Sequence, residues 1–67
     1  MKEATFPVRT DKLKALSTIH RPAHIARRLG ISRQLWANYE NQVHDMRDSL
    51  INKLCDEFQL KREEVVR

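Results

Sequence analysis

The stretch of sequence that decides the fold is Pro22-Ala-His-Ile-Ala-Arg-Arg-Leu-Gly-Ile-Ser-Arg-Gln-Leu-Trp-Ala-Asn-Tyr39. Its pattern predicts a helix, a tight turn and a second helix. Proline is favoured at the first position of a helix. Glycine often follows the last position, because it adopts the left-handed conformation without a Cβ penalty. The turn is therefore expected at Gly30, the only glycine of the chain, and Ser32 is placed to cap the second helix.

Apolar side chains recur within this stretch at helical spacing, so both helices are expected to share one core. Ala26 is small, which allows the two helices to cross closely. Seven residues are expected to form the core and its turn: Ile25, Ala26, Leu29, Gly30, Ile31, Trp36 and Tyr39. The start of the second helix is then exposed, and one helix fits the major groove of DNA. The alternative is a plain helical hairpin in another small all-α domain.

The same periodicity predicts a helix before this pair. It is expected to start at Thr10 or Asp11, since either can cap it. Leu13, Leu16 and Ile19 recur at helical spacing and should be its buried residues.

Two further helices are predicted after the pair. The stretch from Gln42 to Met46 is expected to be a loop, and a fourth helix should begin between positions 45 and 48 and run to Phe58. A short fifth helix is expected from Arg62 to Val66. With one glycine and two prolines in 67 residues, the composition favours helices over a sheet with many turns.

Residues 1–9 are predicted to be an irregular N-terminal arm, followed by a single helical domain at residues 10–67. Phe6 and Val8 are two positions apart, so in an extended segment both lie on one face. They either cover the edge of the core, which we favour, or the arm contacts nucleic acid or a second subunit through Lys2 and Arg9.

The charge is unevenly distributed along the chain. Residues 1–34 carry eight basic and two acidic residues, a net charge of +6, whereas residues 35–67 carry five basic and seven acidic residues, a net charge of −2. A basic half of this kind indicates a face suited to a polyanion, although an ordinary solvated surface is an equal alternative on charge alone.

Several function classes are disfavoured. The single cysteine, Cys55, excludes an intramolecular disulfide, and no Cys/His cluster has zinc spacing. His20 and His24 are four apart but separated by Pro22, so they are interpreted as surface or phosphate-facing residues. With no apolar run of membrane length and no nucleophile–base pair, we expect a cytoplasmic protein that is no enzyme and uses no cofactor, metal or small-molecule substrate.

The motif Ile25-Ala26-x-x-Leu29-Gly30-Ile31-Ser32-Arg33, with Trp36 and Tyr39-Glu40-Asn41, resembles the lambda-repressor-like helix-turn-helix family. This family includes the Cro- and cI-type regulators of phages and the xenobiotic-response-element regulators. The tail from Leu50 to Val65 is similar to that family's fourth helix and the start of its fifth. The resemblance implies a compact all-α domain of four to five helices that binds operator DNA, commonly as a two-fold dimer.

Carried over by position, the family's base-reading residues fall on Arg33, Gln34 and Asn38. The chemistry agrees, because arginine pairs with guanine, and glutamine and asparagine pair with adenine. The candidates for phosphate contact are Arg21, Arg27, Arg28, Ser32 and His44. The family's pattern also implies that Glu40 pairs with Lys12 or Lys14. The chain departs from that pattern at Pro22, where the family often has Gln, and at Gln42, where it often has Gly.

Three apolar residues near the C-terminus either cap the core or form a dimer patch: Leu60, Val65 and Val66. The predicted function is that of a sequence-specific transcriptional regulator, a Cro/cI-like repressor bound as a homodimer to partly palindromic double-stranded operator DNA. The alternative is a protein-interaction module of the same fold, such as an antitoxin-like partner or an inhibitor.

Overall fold

The structure is a computed structural model and describes residues 3–67. These residues form five helices and one two-stranded sheet. The elements follow the order β1 (Thr5–Phe6), α1 (Thr10–Ile19), α2 (Pro22–Leu29), α3 (Arg33–Glu40), β2 (Met46–Arg47), α4 (Asp48–Phe58) and α5 (Arg62–Val65). The protein is therefore small, compact and mostly helical with five helices, as expected, and it also has a short two-stranded sheet that was not expected. Lys2 lies outside the described residues.

The ends of α2 and α3 follow the local signals of the sequence. Pro22 is the first residue of α2, and Gly30 ends this helix with a φ of 70°. The Ser32 hydroxyl oxygen accepts a hydrogen bond from the Leu35 N–H at 3.0 Å and so caps α3. These three predictions are confirmed.

The predicted start of α1 at Thr10 is confirmed, but the residue that caps this helix is not a predicted one. The cap of α1 is Arg9, which makes no side-chain cap hydrogen bond, rather than Thr10 or Asp11. The Arg9 N–H is bonded to the Val65 carbonyl at 2.7 Å, which keeps Arg9 extended and makes Thr10 the first helical residue. After α3, Gln42 is in the left-handed conformation, with a φ of 56°.

The core lies where α1, α2, α3 and α4 meet. Its residues are Val8, Leu13, Leu16, Ile25, Ala26, Leu29, Trp36, Tyr39, Met46, Leu50, Ile51, Leu54 and Val65. Ile19 is 75% exposed, so its predicted burial is wrong. Each residue turns a helix by about 100°, and two steps of three residues therefore carry Ile19 about 120° away from Leu13.

The N-terminal segment is tied to two distant parts of the chain. Strand β1 pairs antiparallel with β2, in the register Thr5–Arg47 and Phe6–Met46. Val8 forms a bridge with Val66. We call residues 3–9, 46–49 and 65–67 together the terminal belt. Within the belt, Val8 and Met46, the latter expected in a loop, are completely buried, so the N-terminal segment covers the edge of the core.

The burial of the C-terminal apolar residues differs from one to the next. Val65 has no exposed surface in the single chain, so of its two alternatives the structure favours capping the core. Leu60 and Val66 are half-buried and pack against that core. A role for these two in dimer contact stays a prediction.

Candidate nucleic-acid interface

The helices α2 and α3 pack against each other through their apolar faces. Ile25, Ala26 and Leu29 of α2 and Trp36 and Tyr39 of α3 are buried, and Ile31 packs against them from the turn. The two helices therefore share one apolar interface. Only the outer surface of this helix pair is therefore accessible to a ligand.

A polar network joins the inner face of α3 to α1. The indole N–H of Trp36 donates to the Ser17 hydroxyl oxygen at 2.9 Å and to the Glu40 carboxylate at 3.1 Å. The Ser17 hydroxyl also donates to Glu40. Since a buried indole N–H needs an acceptor, this network fixes the rotation of α3 about its axis.

The network corrects the expectation that Glu40 pairs with Lys12 or Lys14. Both lysines are exposed on α1, whereas Ser17 is half-buried beside Leu16. Ser17 lies four positions after the buried Leu13, and Glu40 lies four positions after Trp36, so each is on the same helix face as a core residue. That spacing is the sequence signal that could have identified the network.

The outer side of α3 carries the three residues predicted to read bases. Arg33 and Gln34 are exposed, and Asn38 is half-buried. The Gln34 Nε2 atom donates a hydrogen bond to Asn38 Oδ1 at 3.3 Å. The structure thus brings Gln34 and Asn38 together on one turn of the helix, and Arg33 precedes them at its first position.

The residues predicted to contact phosphates are spread along the helix pair. Arg21 is exposed at the start of α2, and Arg27 and Arg28 are exposed in its last turn. An eight-residue helix is about 12 Å long, so the two ends of α2 would face different phosphates. Ser32 is exposed at the cap of α3, and its hydroxyl keeps a proton to donate. His44 is exposed in the loop that follows α3.

The chain from α1 to α3 carries charge of only one sign over a long stretch. Positions 12–39 hold no acidic residue and six basic ones, which are Lys12, Lys14, Arg21, Arg27, Arg28 and Arg33. One ion pair reaches it from α4, between Arg28 Nε and Glu57 Oε2 at 3.9 Å. Both partners are partly exposed, so the pair contributes little and leaves Arg28 available to another anion.

Sequence reasoning missed Lys53 as a neighbour of the helix pair. Its ammonium nitrogen lies 3.8 Å from the position that a Cβ would occupy on Gly30. A cation of α4 is therefore placed beside the turn between α2 and α3. No local pattern shows this, because the proximity depends on how α4 packs against α2.

Other candidate chemistry is sparse in residues 3–67. The rings of His20 and His24 stack with centroids 6.1 Å apart, and His20 also contacts Phe58 at 5.1 Å. Within this range no three His, Cys, Asp or Glu side chains are grouped to hold a metal ion. Burial raises the pKa of the Cys55 thiol, which makes its reactive thiolate scarcer.

None of the helices in residues 3–67 has the length and apolar character needed to cross a membrane. Comparisons with models of protein families, with curated proteins and with solved structures found no match for this chain. A function is therefore inferred from the residues of the chain itself.

Proposed function

We propose that this protein is a sequence-specific double-stranded DNA-binding regulator of transcription. In this proposal α2 and α3 form a helix-turn-helix, and α3 enters the major groove. One observation carries it: α3 buries Trp36 on one side and presents Arg33, Gln34 and Asn38 on the other. Arginine, glutamine and asparagine are the side chains that pair with guanine and adenine edges.

The basic residues of the helix pair would hold the DNA backbone. Arg21 at one end of α2 and Arg27 and Arg28 at the other end would contact phosphates, with Ser32, His44 and Lys53 beside them. Such contacts set affinity and orientation but carry no sequence information, which leaves the choice of bases to α3. The absence of acidic residues from positions 12–39 supports this division, because nothing there repels a phosphate.

The resemblance to the lambda-repressor-like family supports a Cro/cI-like repressor that acts as a homodimer on a partly palindromic operator. A two-fold dimer places its recognition helices about 34 Å apart, one turn of DNA. The chain measures 33 × 22 × 20 Å, so two copies side by side can have this spacing. Leu60 and Val66, half-buried near the C-terminus, are the apolar candidates for dimer contact.

The experiment that tests the proposal is selection of bound sites from random double-stranded DNA. We expect a partly palindromic sequence with half-sites about 10 base pairs apart, centre to centre. The triple variant Arg33→Ala/Gln34→Ala/Asn38→Ala should fold as the original protein does and still bind DNA, because its phosphate contacts remain. Its preference for the selected site should fall by at least about tenfold, and a full preference would refute the role of α3.

Salt titration of the same complex separates DNA binding from the alternative, a protein-interaction module of the same fold. The logarithm of the binding constant should fall with the logarithm of salt concentration, with a slope of about −0.9 for each phosphate neutralised. If the protein selects no site and any DNA binding is weak and independent of salt, the proposal is wrong and the protein-interaction alternative is favoured.

A further inference from the structure

We infer that Asn38 is a positioning residue rather than a base-reading one, and that it turns the Gln34 amide so that this amide selects adenine over guanine. The inference rests on the proposed function and deepens it by changing one role: Asn38 acts on the DNA through Gln34 instead of pairing with a base itself. Its basis is the direction of one hydrogen bond, in which Gln34 Nε2 donates to Asn38 Oδ1 at 3.3 Å.

That direction determines what Gln34 still offers to a ligand. A glutamine amide has two N–H donors and one carbonyl acceptor. After one N–H is given to Asn38, one donor and the Oε1 acceptor remain. In the major groove adenine presents a donor, N6–H, and an acceptor, N7, whereas guanine presents two acceptors, N7 and O6. The remaining groups of Gln34 therefore match adenine and place a carbonyl oxygen against an oxygen of guanine.

The positions of the two residues support this division of roles. Gln34 is exposed and second in α3, and recognition helices contact bases mainly through their N-terminal residues. Asn38 is one turn further along, has a shorter side chain and is half-buried. Gln34 is thus the member of the pair that reaches a base edge, and Asn38 orients its amide through the hydrogen bond.

Two substitutions of nearly equal size test the direction of the hydrogen bond. Asn38→Asp keeps an oxygen that only accepts, so Gln34 must still donate. Asn38→Leu has no acceptor, so the Gln34 amide is free to turn. Sites are selected with the original protein, and the base pair read by Gln34 is the one whose preference Gln34→Ala abolishes. Binding is then compared between that site and a copy with adenine replaced by guanine.

We expect the original protein to prefer adenine by about 5- to 150-fold, the range for one good bidentate pair. Asn38→Asp should weaken binding to every sequence, because it adds a negative charge, yet keep this ratio to within about twofold. Asn38→Leu should lower the ratio towards that of Gln34→Ala. In the Gln34→Ala background, Asn38→Leu should change the ratio by less than about twofold.

Other results would overturn the inference. If Asn38→Leu keeps the adenine preference, or if its effect adds fully to that of Gln34→Ala, Asn38 does not act through Gln34. If the original protein selects no DNA site at all, the proposed function fails and this role fails with it. If it selects a site but the adenine-to-guanine preferences of the Asn38 variants differ from those expected, the proposed function stands and this role alone is wrong.

A measurement without DNA tests the contact itself. In a ¹H–¹⁵N spectrum, the two side-chain amide proton signals of Gln34 should be well separated from each other, because only one N–H is hydrogen-bonded. This separation should persist in Asn38→Asp, which keeps the acceptor, and be lost in Asn38→Leu. The indole signal of Trp36 serves as the control and should not move in either variant. Gln34 signals that are identical in all three proteins would show that no such hydrogen bond forms.

Discussion

The residues that pack together in the helix pair α2–α3 lie between positions 22 and 40, whereas the terminal belt joins Thr5 to Arg47 and Val8 to Val66. The apolar side chains of the helix pair belong to neighbouring elements, whereas the belt joins distant segments by backbone hydrogen bonds and adds Val8, Met46 and Val65 to the core. The proposed DNA-reading residues all belong to the helix pair. Comparing the two regions thus predicts that the proposed DNA binding can be altered without changing the belt, and that the belt can be altered without changing the proposed binding surface.

The largest expected effect is on the inner side of the helix pair. Trp36→Ala removes a completely buried side chain and should lower the free energy of unfolding by about 3–5 kcal/mol. A chain of 67 residues has a total of about 3–10 kcal/mol, so this loss is a large fraction of the stability. Urea denaturation followed by circular dichroism measures the loss.

Trp36→Phe is the matched control, since it keeps an aromatic ring but loses the N–H that Ser17 and Glu40 accept. It should cost less, about 1–3 kcal/mol. An unfolding midpoint for Trp36→Ala equal to that of the original protein would contradict the central place of this residue in the core.

The turn of the helix pair should give the next largest effect. Gly30→Ala places a Cβ on a residue with a φ of 70°, which should cost about 1–2 kcal/mol of stability. The cost comes from the backbone, because the added atom would meet only the Lys53 ammonium, at 3.8 Å. Gly30→Asn should cost less, because asparagine tolerates this conformation. Equal stability of all three proteins in urea would contradict the left-handed turn.

The outer surfaces of the two regions are compared by removing one cation from each. Arg21→Gln should reduce the salt slope of DNA binding by about one, as expected for a lost phosphate contact. Arg9→Gln removes an exposed cation of the terminal belt and should leave the slope unchanged. An equal reduction in both variants would mean that the N-terminal segment also contacts DNA.

The smallest expected effect lies in the belt, where Glu3 accepts a hydrogen bond from the Ser49 N–H at 2.6 Å. The Ser49 hydroxyl and N–H, helped by the positive charge of Arg47, lower the pKa of Glu3 below its usual range. A carboxylate with a lower pKa in the folded state stabilises the protein at neutral pH, and this is lost as the pH falls through that pKa.

Glu3→Gln keeps the side-chain shape but removes the charge. Its melting temperature should be slightly lower than that of the original protein at neutral pH, and the difference should shrink once the pH falls below about 4. Thermal denaturation of both proteins across this range provides the measurement. A difference that stays constant or grows in acid would contradict the contact between Glu3 and Ser49.

Much of the helix pair could be predicted from sequence because its signals are local. Pro22, Gly30 and Ser32 act within one turn of their own position, and the predicted ends of α2 are those observed. The same is true of its core, since helical periodicity identified Trp36 and Tyr39 as buried. The base-reading assignment of Arg33, Gln34 and Asn38 remains a prediction.

The cover that Phe6 and Val8 give to the core edge was expected, but the pairing within the belt could not be predicted because its contacts are not local. Neither Thr5–Phe6 nor Met46–Arg47 is long enough to show an alternating pattern, and each is a strand only because the other pairs with it. The Ser17–Trp36–Glu40 network was missed for a related reason, since it depends on how α1 packs on α3. Lys53 likewise approaches Gly30 only through the packing of α4.

The belt also determines how the protein would respond to mechanical load. Arg67 donates its N–H to Pro7, Val8 faces Val66, and Arg9 donates to Val65. This antiparallel order places positions 7 and 67 at the same end of the pairing. Tension applied between the two chain ends would therefore break these bonds one after another, as a zipper opens, instead of shearing them together. Val8 and Val65 are buried, so opening this pairing would also begin to take apart the edge of the core.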